Sequence, residues 1–103
     1  MTTTVRRRRI EVLVDKPLMS TVEKHAELAG IEHYTIFAAH SGRGHTGRWS
    51  DDQLTGALAK RMFLAVSNEE TSDRFIEALT PFLDSHGLVL FVSNVEVVRG
   101  ERY

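Results

Sequence analysis

The ten residues 40–49, which read HSGRGHTGRW, divide the chain into two halves of similar pattern. Before them the sequence predicts a strand, a helix and a second strand, and after them it predicts the same three elements again. The stretch itself contains three glycines and two arginines. A chain organised in this way has little freedom, because each half must fold as a strand–helix–strand unit around one irregular connection.

The first half contains sequence signals for two strands and one helix. Ile10, Val12 and Val14 alternate onto one face, which is typical of a strand. Asp15, followed by a proline in the first turn, predicts the start of a helix that ends at Gly30. Residues 34–39 are rich in aromatic and β-branched side chains and predict a second strand. From His40 to about Ala59 the sequence keeps neither strand nor helix periodicity, so we expect a long irregular loop with a functional role.

The second half repeats the order. Residues 61–66 predict a third strand, and Ser67 to Glu70 match a capping box with Ser67 as the cap. The helix that follows keeps its spacing across Pro81, where a kink or break is expected. Residues 88–92 are almost all apolar, which predicts a strand buried on both faces, and residues 95–98 extend it or form a short further strand.

These elements predict an α+β fold of the ferredoxin-like type. The order is βαββαβ, with two helices on one face of an antiparallel sheet and a long loop between the second and third strands. The 103 residues are expected to form a single domain, 1–103. A fold of this kind hosts many functions, so function has to be argued from the site.

Composition excludes several classes of function. Thirteen Lys and Arg against 14 Asp and Glu give a net charge of −1, so no general attraction to nucleic acid is expected. The four consecutive arginines at residues 6–9 fit the exposed start of the first strand better than a nucleic-acid arm. The absence of cysteine excludes disulfides and thiolate metal sites, and no apolar run reaches the length of a membrane span. We expect a cytoplasmic protein.

The central stretch predicts an anion site. Glycines allow backbone N–H groups to approach a ligand closely, and an arginine adds a rigid two-pronged donor for phosphate or carboxylate. The spacing matches neither the phosphate-loop pattern nor a complete G-x-G-x-x-G. Arg43 and Arg48 could also be solvated loop charges. His40 and His45 could bind a metal, although no carboxylate or cysteine stands at a fixed spacing from them.

The chain resembles the PII signal-transduction superfamily, and within it the PII-like proteins linked to inorganic carbon and carboxysomes. The resemblance rests on Ala29-Gly30-Ile31, on His33-Tyr34-Thr35-Ile36, and on Ser41-Gly42-Arg43-Gly44 at the base of a long loop in the position of the T-loop. It also rests on the tail Val95-Glu96-Val97-Val98-Arg99-Gly100-Glu101-Arg102-Tyr103, which is similar to that of members associated with bicarbonate transporters.

The resemblance implies a homotrimer that binds an adenine nucleotide in each of three clefts between subunits. Implied nucleotide-binding residues are Thr35, Gly42, Arg43, Gly44, Lys60, Gly87, Arg99 and Arg102. Bicarbonate is implied as a second ligand, with Ser41 and Arg43 as its contacts, and His45, Arg48 and Trp49 are expected on the loop that meets a protein partner.

The resemblance also implies how such a protein acts. No catalytic residue, cofactor or metal is expected, and a T-loop switched by its ligand would control a bicarbonate transporter or a carboxysome component. Association with the carboxysome or the inner membrane would come through that partner.

The chain departs from the nitrogen-regulating members in two ways. The turn Ser85-His86-Gly87-Leu88 is shorter than their B-loop and has no lysine, which favours AMP or ADP over ATP, with cyclic AMP as a further candidate. The loop also lacks the tyrosine that is modified in some members. Two alternatives remain open, a metal-binding trimer of the same fold and a slow nucleotide hydrolase. For the second, Asp51-Asp52 is the only supporting carboxylate pair.

Overall fold

The computed structural model describes residues 3–44, 47–50 and 59–98. A short 3-10 turn, Lys16–Leu18, leads from the first strand into the first helix. In chain order the strands and helices are β1 (Thr4–Asp15), α1 (Met19–Ala29), β2 (Tyr34–Ala38), β3 (Ser41–Gly44), β4 (Gly47–Ser50), β5 (Lys60–Ser67), α2 (Glu69–His86) and β6 (Val89–Val98).

Four strands form the main sheet, in the order β2-β5-β1-β6, and each neighbouring pair is antiparallel. This is the order that two interleaved strand–helix–strand units produce, so the predicted ferredoxin-like fold is confirmed. β1 pairs with β5 only from Arg8 onward but with β6 from Thr4 onward. The ladder of β1 and β6 therefore continues past the end of β5 as a two-stranded ribbon.

Both helices cover the same face of the main sheet. Ile10, Val12 and Val14 of β1 point to that face and are buried, as their alternation predicted. The ring of Phe63 on β5 lies 5.4 Å from the ring of Phe75 on α2, measured between centroids. A core side chain of this size contributes about 1.5–3 kcal/mol by leaving water. The helices complete the core with buried Met19, Val22, Ala26, Ala29 and Leu79.

The opposite face of the main sheet carries apolar side chains and has no helix over it. Phe91 on β6 is 56% exposed and Phe37 on β2 is 45% exposed. The prediction that residues 88–92 are buried on both faces is therefore wrong. β6 is the edge strand of an antiparallel sheet with helices on one side only, and such a sheet can leave its second face open.

The helix boundaries differ in detail from the predictions. The N-cap of α2 is Asn68, whose side chain accepts a hydrogen bond from the Thr71 amide at 2.8 Å. The predicted cap, Ser67, is buried, and its hydroxyl pairs with that of Ser72 at 2.8 Å. α2 continues through Pro81 without a break. The capping-box prediction is wrong by one residue, because Ser67 still belongs to β5 and points into the core.

The start of the first helix is also later than predicted. The 3-10 turn follows Asp15 directly, and the Asp15 carboxylate makes no capping hydrogen bond there. α1 ends at Gly30, as predicted, with a φ of 100° that favours glycine. Within the described ranges, no helix combines the length and the apolar character that crossing a membrane requires.

Candidate anion-binding site

The connection between β2 and β5 contains a β-hairpin, so the prediction of an irregular loop is wrong for residues 41–44 and 47–50. Strands β3 and β4 are antiparallel and pair Gly42 with Trp49, Arg43 with Arg48 and Gly44 with Gly47. We call residues 41–44 and 47–50 the arginine hairpin. Each strand has only four residues, and glycine has low strand propensity, so the sequence carries a weak strand signal here.

Arg43 and Arg48 lie directly opposite each other in this ladder. Both side chains are exposed. Within the described part of the chain, neither guanidinium has a carboxylate partner. Like charges in this position destabilise a hairpin. The pair therefore presents two guanidinium groups that one multiply charged anion, such as a phosphate, could bridge.

The arginine hairpin also forms a shallow concavity of about 550 Å³. It brings together Ser41 and Arg43, which were predicted to hold bicarbonate, with Arg48 and Trp49, which were predicted to meet a partner. The full lining is Ser41, Gly42, Arg43, Arg48, Trp49 and Ser50. Hydroxyls and guanidinium groups on one surface give donors of two kinds to an oxyanion.

Trp49 joins the arginine hairpin to the main sheet. Its ring lies against Gly42, and the ammonium group of Lys60 lies 5.7 Å from the ring centroid. Lys60 also pairs with the Asp15 carboxylate, at 2.5 Å between Nζ and Oδ1. Lys60 was predicted to bind nucleotide, and the structure gives its charge two partners within the chain.

Two backbone hydrogen bonds fix the base of this connection. The Ala39 amide donates to the Lys60 carbonyl at 3.1 Å, and the Lys16 amide donates to the Ala59 carbonyl at 2.7 Å. The arginine hairpin therefore leaves the main sheet at the end where β2 stops and β5 begins.

Thr35 lies in a separate groove along the edge of the main sheet. It is exposed on β2 and pairs with Leu64 of β5. The groove has a volume of about 550 Å³ and is lined by Glu32, His33, Tyr34, Thr35, Leu64, Ala65 and Val66. No lysine or arginine lines it, so this groove suits an uncharged ring better than a phosphate.

The Tyr34 side chain is fixed at the rim of this groove. Its hydroxyl donates to the Glu23 carboxylate of α1 at 2.9 Å, and its ring lies 4.9 Å from that of Phe63. The hydrogen bond to Glu23 raises the pKa of Tyr34 above its ordinary value. Tyr34 thus links α1, β2 and the core.

The remaining predicted residues are distributed as follows. Gly87 ends α2 with a φ of 63°, in the turn that leads to β6. His40 is exposed. The residues that the structure describes include no group of three side chains able to hold a metal ion. His45, Arg99 and Arg102 lie outside the described residues.

β6 starts near the arginine hairpin and ends at the opposite end of the main sheet. Leu13 pairs with Val89 near the arginine hairpin, whereas Thr4 pairs with Val98 at the far end of the ribbon. At roughly 3.3 Å per residue, Val89 and Val98 are about 30 Å apart. The strand that leads to Arg99 and Arg102 therefore ends far from the arginine hairpin of the same chain.

Two features of the site differ from the sequence predictions. Arg48 is predicted on a partner surface, although three of the four residue pairs in SGRGHTGRWS match about His45-Thr46, which is a signal for the Arg43–Arg48 pairing. Asp15 was interpreted as a helix cap. It is 45 residues from Lys60 in sequence, so no local pattern could indicate their contact.

A ferredoxin-like chain with an extended connection between β2 and β5 has the form of the PII-like signalling proteins. The family model of the nitrogen regulatory protein P-II matches residues 7–102. The chain therefore belongs to the P-II family. No curated protein sequence matches it significantly.

Solved structures of similar fold agree with this assignment. CPII, a nitrogen regulatory PII-like protein from Thiomonas intermedia K12, in complex with ADP, AMP and bicarbonate, is 24% identical, with a TM-score of 0.88 over 97% of this chain and 95% of its own. A PII-like signalling protein from Thermus thermophilus is 21% identical, with a TM-score of 0.78 over 97% of each chain. GlnK of B. subtilis in complex with ATP is 13% identical, with a TM-score of 0.61 over 87% of this chain and 82% of its own.

Proposed function

We propose that the protein is a PII-like regulator that binds an adenine nucleotide together with bicarbonate and changes the state of its T-loop in response. The arginine hairpin is the described part of that T-loop. The observation that carries the proposal is the Arg43–Arg48 pair, two opposed guanidinium groups without a carboxylate partner in the described chain. A nucleotide phosphate would supply the missing negative charge.

The nature of the ligand is supported by the similar structures. CPII of Thiomonas intermedia K12 has been solved with ADP, AMP and bicarbonate and also with ADP and bicarbonate. In the present chain, Thr35 offers an edge groove for a base or ribose, and Gly42, Arg43, Gly44 and Gly87 lie at the hairpin end of the sheet. Ser41 and Arg43 share one concavity, which supports a small oxyanion beside the phosphate.

The site is completed between subunits of a homotrimer. Within one chain, the strand that leads to Arg99 and Arg102 ends about 30 Å from the arginine hairpin. A second copy can bring that end of β6 close to the hairpin of the first. The open face of the main sheet, with Phe37, Phe91, Leu13 and Met62, is an apolar surface of the kind that subunit interfaces cover.

The output of the protein is the conformation of the T-loop. A ligand shifts a loop only if it binds one conformation better than the others. A nucleotide that bridges Arg43 and Arg48 meets this condition, because it relieves a repulsion that exists only when the hairpin is paired. A transporter or carboxysome component involved in inorganic-carbon uptake or fixation would then bind one T-loop conformation in preference to the others. The chain therefore acts as a regulator and not as an enzyme.

Calorimetric titration with AMP, ADP, ATP and cyclic AMP, each with and without bicarbonate, tests this proposal. We expect micromolar affinity for AMP or ADP that changes when bicarbonate is present. Arg48→Ala should weaken binding, while Lys24→Ala, which removes an exposed cation from α1, should not. Sedimentation analysis of the same samples should give a trimer.

Absence of binding to all four nucleotides would overturn the proposed ligand. Stoichiometric divalent metal binding that is lost in His40→Ala and His45→Ala would then favour the metal-binding alternative. Nucleotide turnover above background would favour the hydrolase.

A further inference from the structure

The arginine hairpin lacks the features that normally fix the register of a strand pair. None of its described residues is buried, and it contains Gly42, Gly44 and Gly47. Register is weakly specified in glycine-rich strands that bury neither face, and a slip of one residue turns every side chain to the other side. The opposed arginines add a repulsion that slippage would relieve. Something else has to hold Arg43 opposite Arg48.

The contact between Trp49 and Gly42 supplies that constraint. A Cβ atom placed on Gly42 would lie 2.5 Å from Cζ2 and 2.8 Å from Cε2 of the Trp49 ring. The ring therefore occupies the space that any side chain at position 42 would need. Gly44, two residues along the same strand, has nothing within 4 Å of its would-be Cβ. An aromatic ring laid over a strand glycine is a known means of pinning register.

The Trp49 ring is also in contact with the main sheet, through Lys60. Lys60 lies over the ring at 5.7 Å, and Asp15 holds Lys60 through the ion pair at 2.5 Å. Asp15 and Lys60 are register partners in the β1–β5 ladder, so this anchor belongs to the most regular part of the fold. A cation over an indole face is attracted by the negative face of the aromatic ring.

We propose that Trp49, which contacts both Gly42 and the Lys60 of the Asp15–Lys60 ion pair, is a positioning residue that locks the hairpin register and thereby sets Arg43 opposite Arg48 for anion binding. This inference rests on the proposed function, because it assigns the structural support of the same site. It gives Lys60 an indirect role, in which its charge holds the indole ring and does not contact phosphate. Preorganising the two arginines lowers the cost of ordering them on the ligand.

The first experiment compares Gly42→Ala with Gly44→Ala, two equal changes on one strand. The chain has one tryptophan, so its fluorescence reports on Trp49 alone. We expect Gly42→Ala to shift the emission to longer wavelength, increase acrylamide quenching and weaken ADP binding roughly tenfold, because it expels the ring. Gly44→Ala, whose added Cβ meets nothing within 4 Å, should leave emission and quenching close to those of the natural chain.

A double variant separates the ring contact from a direct contact of Gly42 with nucleotide. Trp49→Ala should weaken ADP binding by about as much as Gly42→Ala, and the combination should be no weaker than either one alone. Trp49→Phe should retain most of the affinity, because a phenyl ring can still cover Gly42. Additive losses in the double variant would overturn the inference and place Gly42 directly on the ligand.

Asp15→Asn tests the role of Lys60. Removing a negative charge beside an anion site and freeing a lysine should strengthen ADP binding if Lys60 contacts the phosphate. If Lys60 acts by holding Trp49, the same change should weaken binding by about two- to fivefold, the range expected for a partly exposed ion pair. Stronger binding would therefore overturn the positioning role.

The two proposals fail in different ways. If the natural chain binds ADP and all these variants bind it equally well, the proposed function stands and the register lock is wrong. If the natural chain binds none of the four nucleotides, the proposed function fails. The comparison of tryptophan emission and quenching between Gly42→Ala and Gly44→Ala then still tests the register lock. Identical spectra would overturn that proposal.

Discussion

The helix-covered face of the main sheet and the arginine hairpin hold their strands together by opposite means. On the covered face, Phe63, Phe75 and Ile10 are fully buried, and a shift in strand register would turn such side chains out of the core. The hairpin has no buried residue and relies on one aromatic ring over one glycine. Regions of few buried contacts open locally at low free energy, which is where ligand-responsive segments are found.

This difference means that fold stability and ligand affinity should respond to different residues. A change in the core should lower the free energy of unfolding without a specific effect on the anion site. A change in the arginine hairpin should alter ligand affinity and leave the free energy of unfolding almost unchanged. The reason is that its repulsive arginine pair contributes nothing to the stability of the main sheet. The following substitutions test how complete that separation is.

Phe75→Ala should have the largest effect. Phe75 is fully buried on α2 and packs against the ring of Phe63 at 5.4 Å. Removal of a core aromatic side chain costs about 3–5 kcal/mol of unfolding free energy, which for a domain of this size is a large share of the total. Urea denaturation followed by far-UV circular dichroism measures the loss. Phe75→Leu, which keeps most of the volume, is the matched control and should lose much less.

Arg43→Ala should change affinity and leave stability almost untouched. If the guanidinium makes charge-assisted bonds to the nucleotide, its loss costs about 1.5–3 kcal/mol of binding free energy. The urea midpoint without ligand should not fall, because the change removes a like-charge repulsion with Arg48. Unchanged affinity in calorimetry would remove Arg43 from the site. A fall in the urea midpoint would show that the hairpin and the core are energetically coupled.

The contrast between the two regions also explains what the sequence could predict. Alternation at Ile10, Val12 and Val14 and helical spacing around Phe75 are repeated signals, and they specified the main sheet and both helices. The hairpin has four residues per strand and no apolar alternation, so hydrophobic periodicity does not predict these strands. The exposure of Phe91 was missed because an apolar run looks the same whether a helix or another subunit covers it.

The candidate site was predicted in part, for a similar reason. The residue types at 41–44 indicated an anion site, because glycine and arginine carry that chemistry wherever they stand. Their arrangement depends on contacts between distant segments, above all Asp15 with Lys60. Such a contact follows from the β1–β5 register and not from any local pattern.

Asn68→Ala should have an intermediate effect on stability. The Asn68 side chain accepts a hydrogen bond from the Thr71 amide at 2.8 Å and so caps α2. Loss of such a cap costs about 1 kcal/mol. Asn68→Ser, which keeps a capping oxygen, should recover most of it in thermal denaturation, and nucleotide affinity should stay the same in both. A larger loss in the serine variant than in the alanine variant would contradict the capping role.

Tyr34→Phe should have the smallest effect, and its pH dependence identifies the cause. The hydroxyl donates to Glu23 at 2.9 Å, and loss of this half-exposed hydrogen bond costs about 0.5–1 kcal/mol. Because that bond raises the pKa of Tyr34 above 10.0, its stabilising effect is fully present below pH 10.0 and is lost as the pH rises through the folded-state pKa. The difference in urea midpoint between the natural chain and Tyr34→Phe should therefore shrink above pH 10.0. A difference that stays constant from neutral to strongly alkaline pH would show that the hydroxyl stabilises α1 against β2 by packing and not through its proton. In either case the change lies in the main sheet, so the emission of Trp49 in the arginine hairpin should not move.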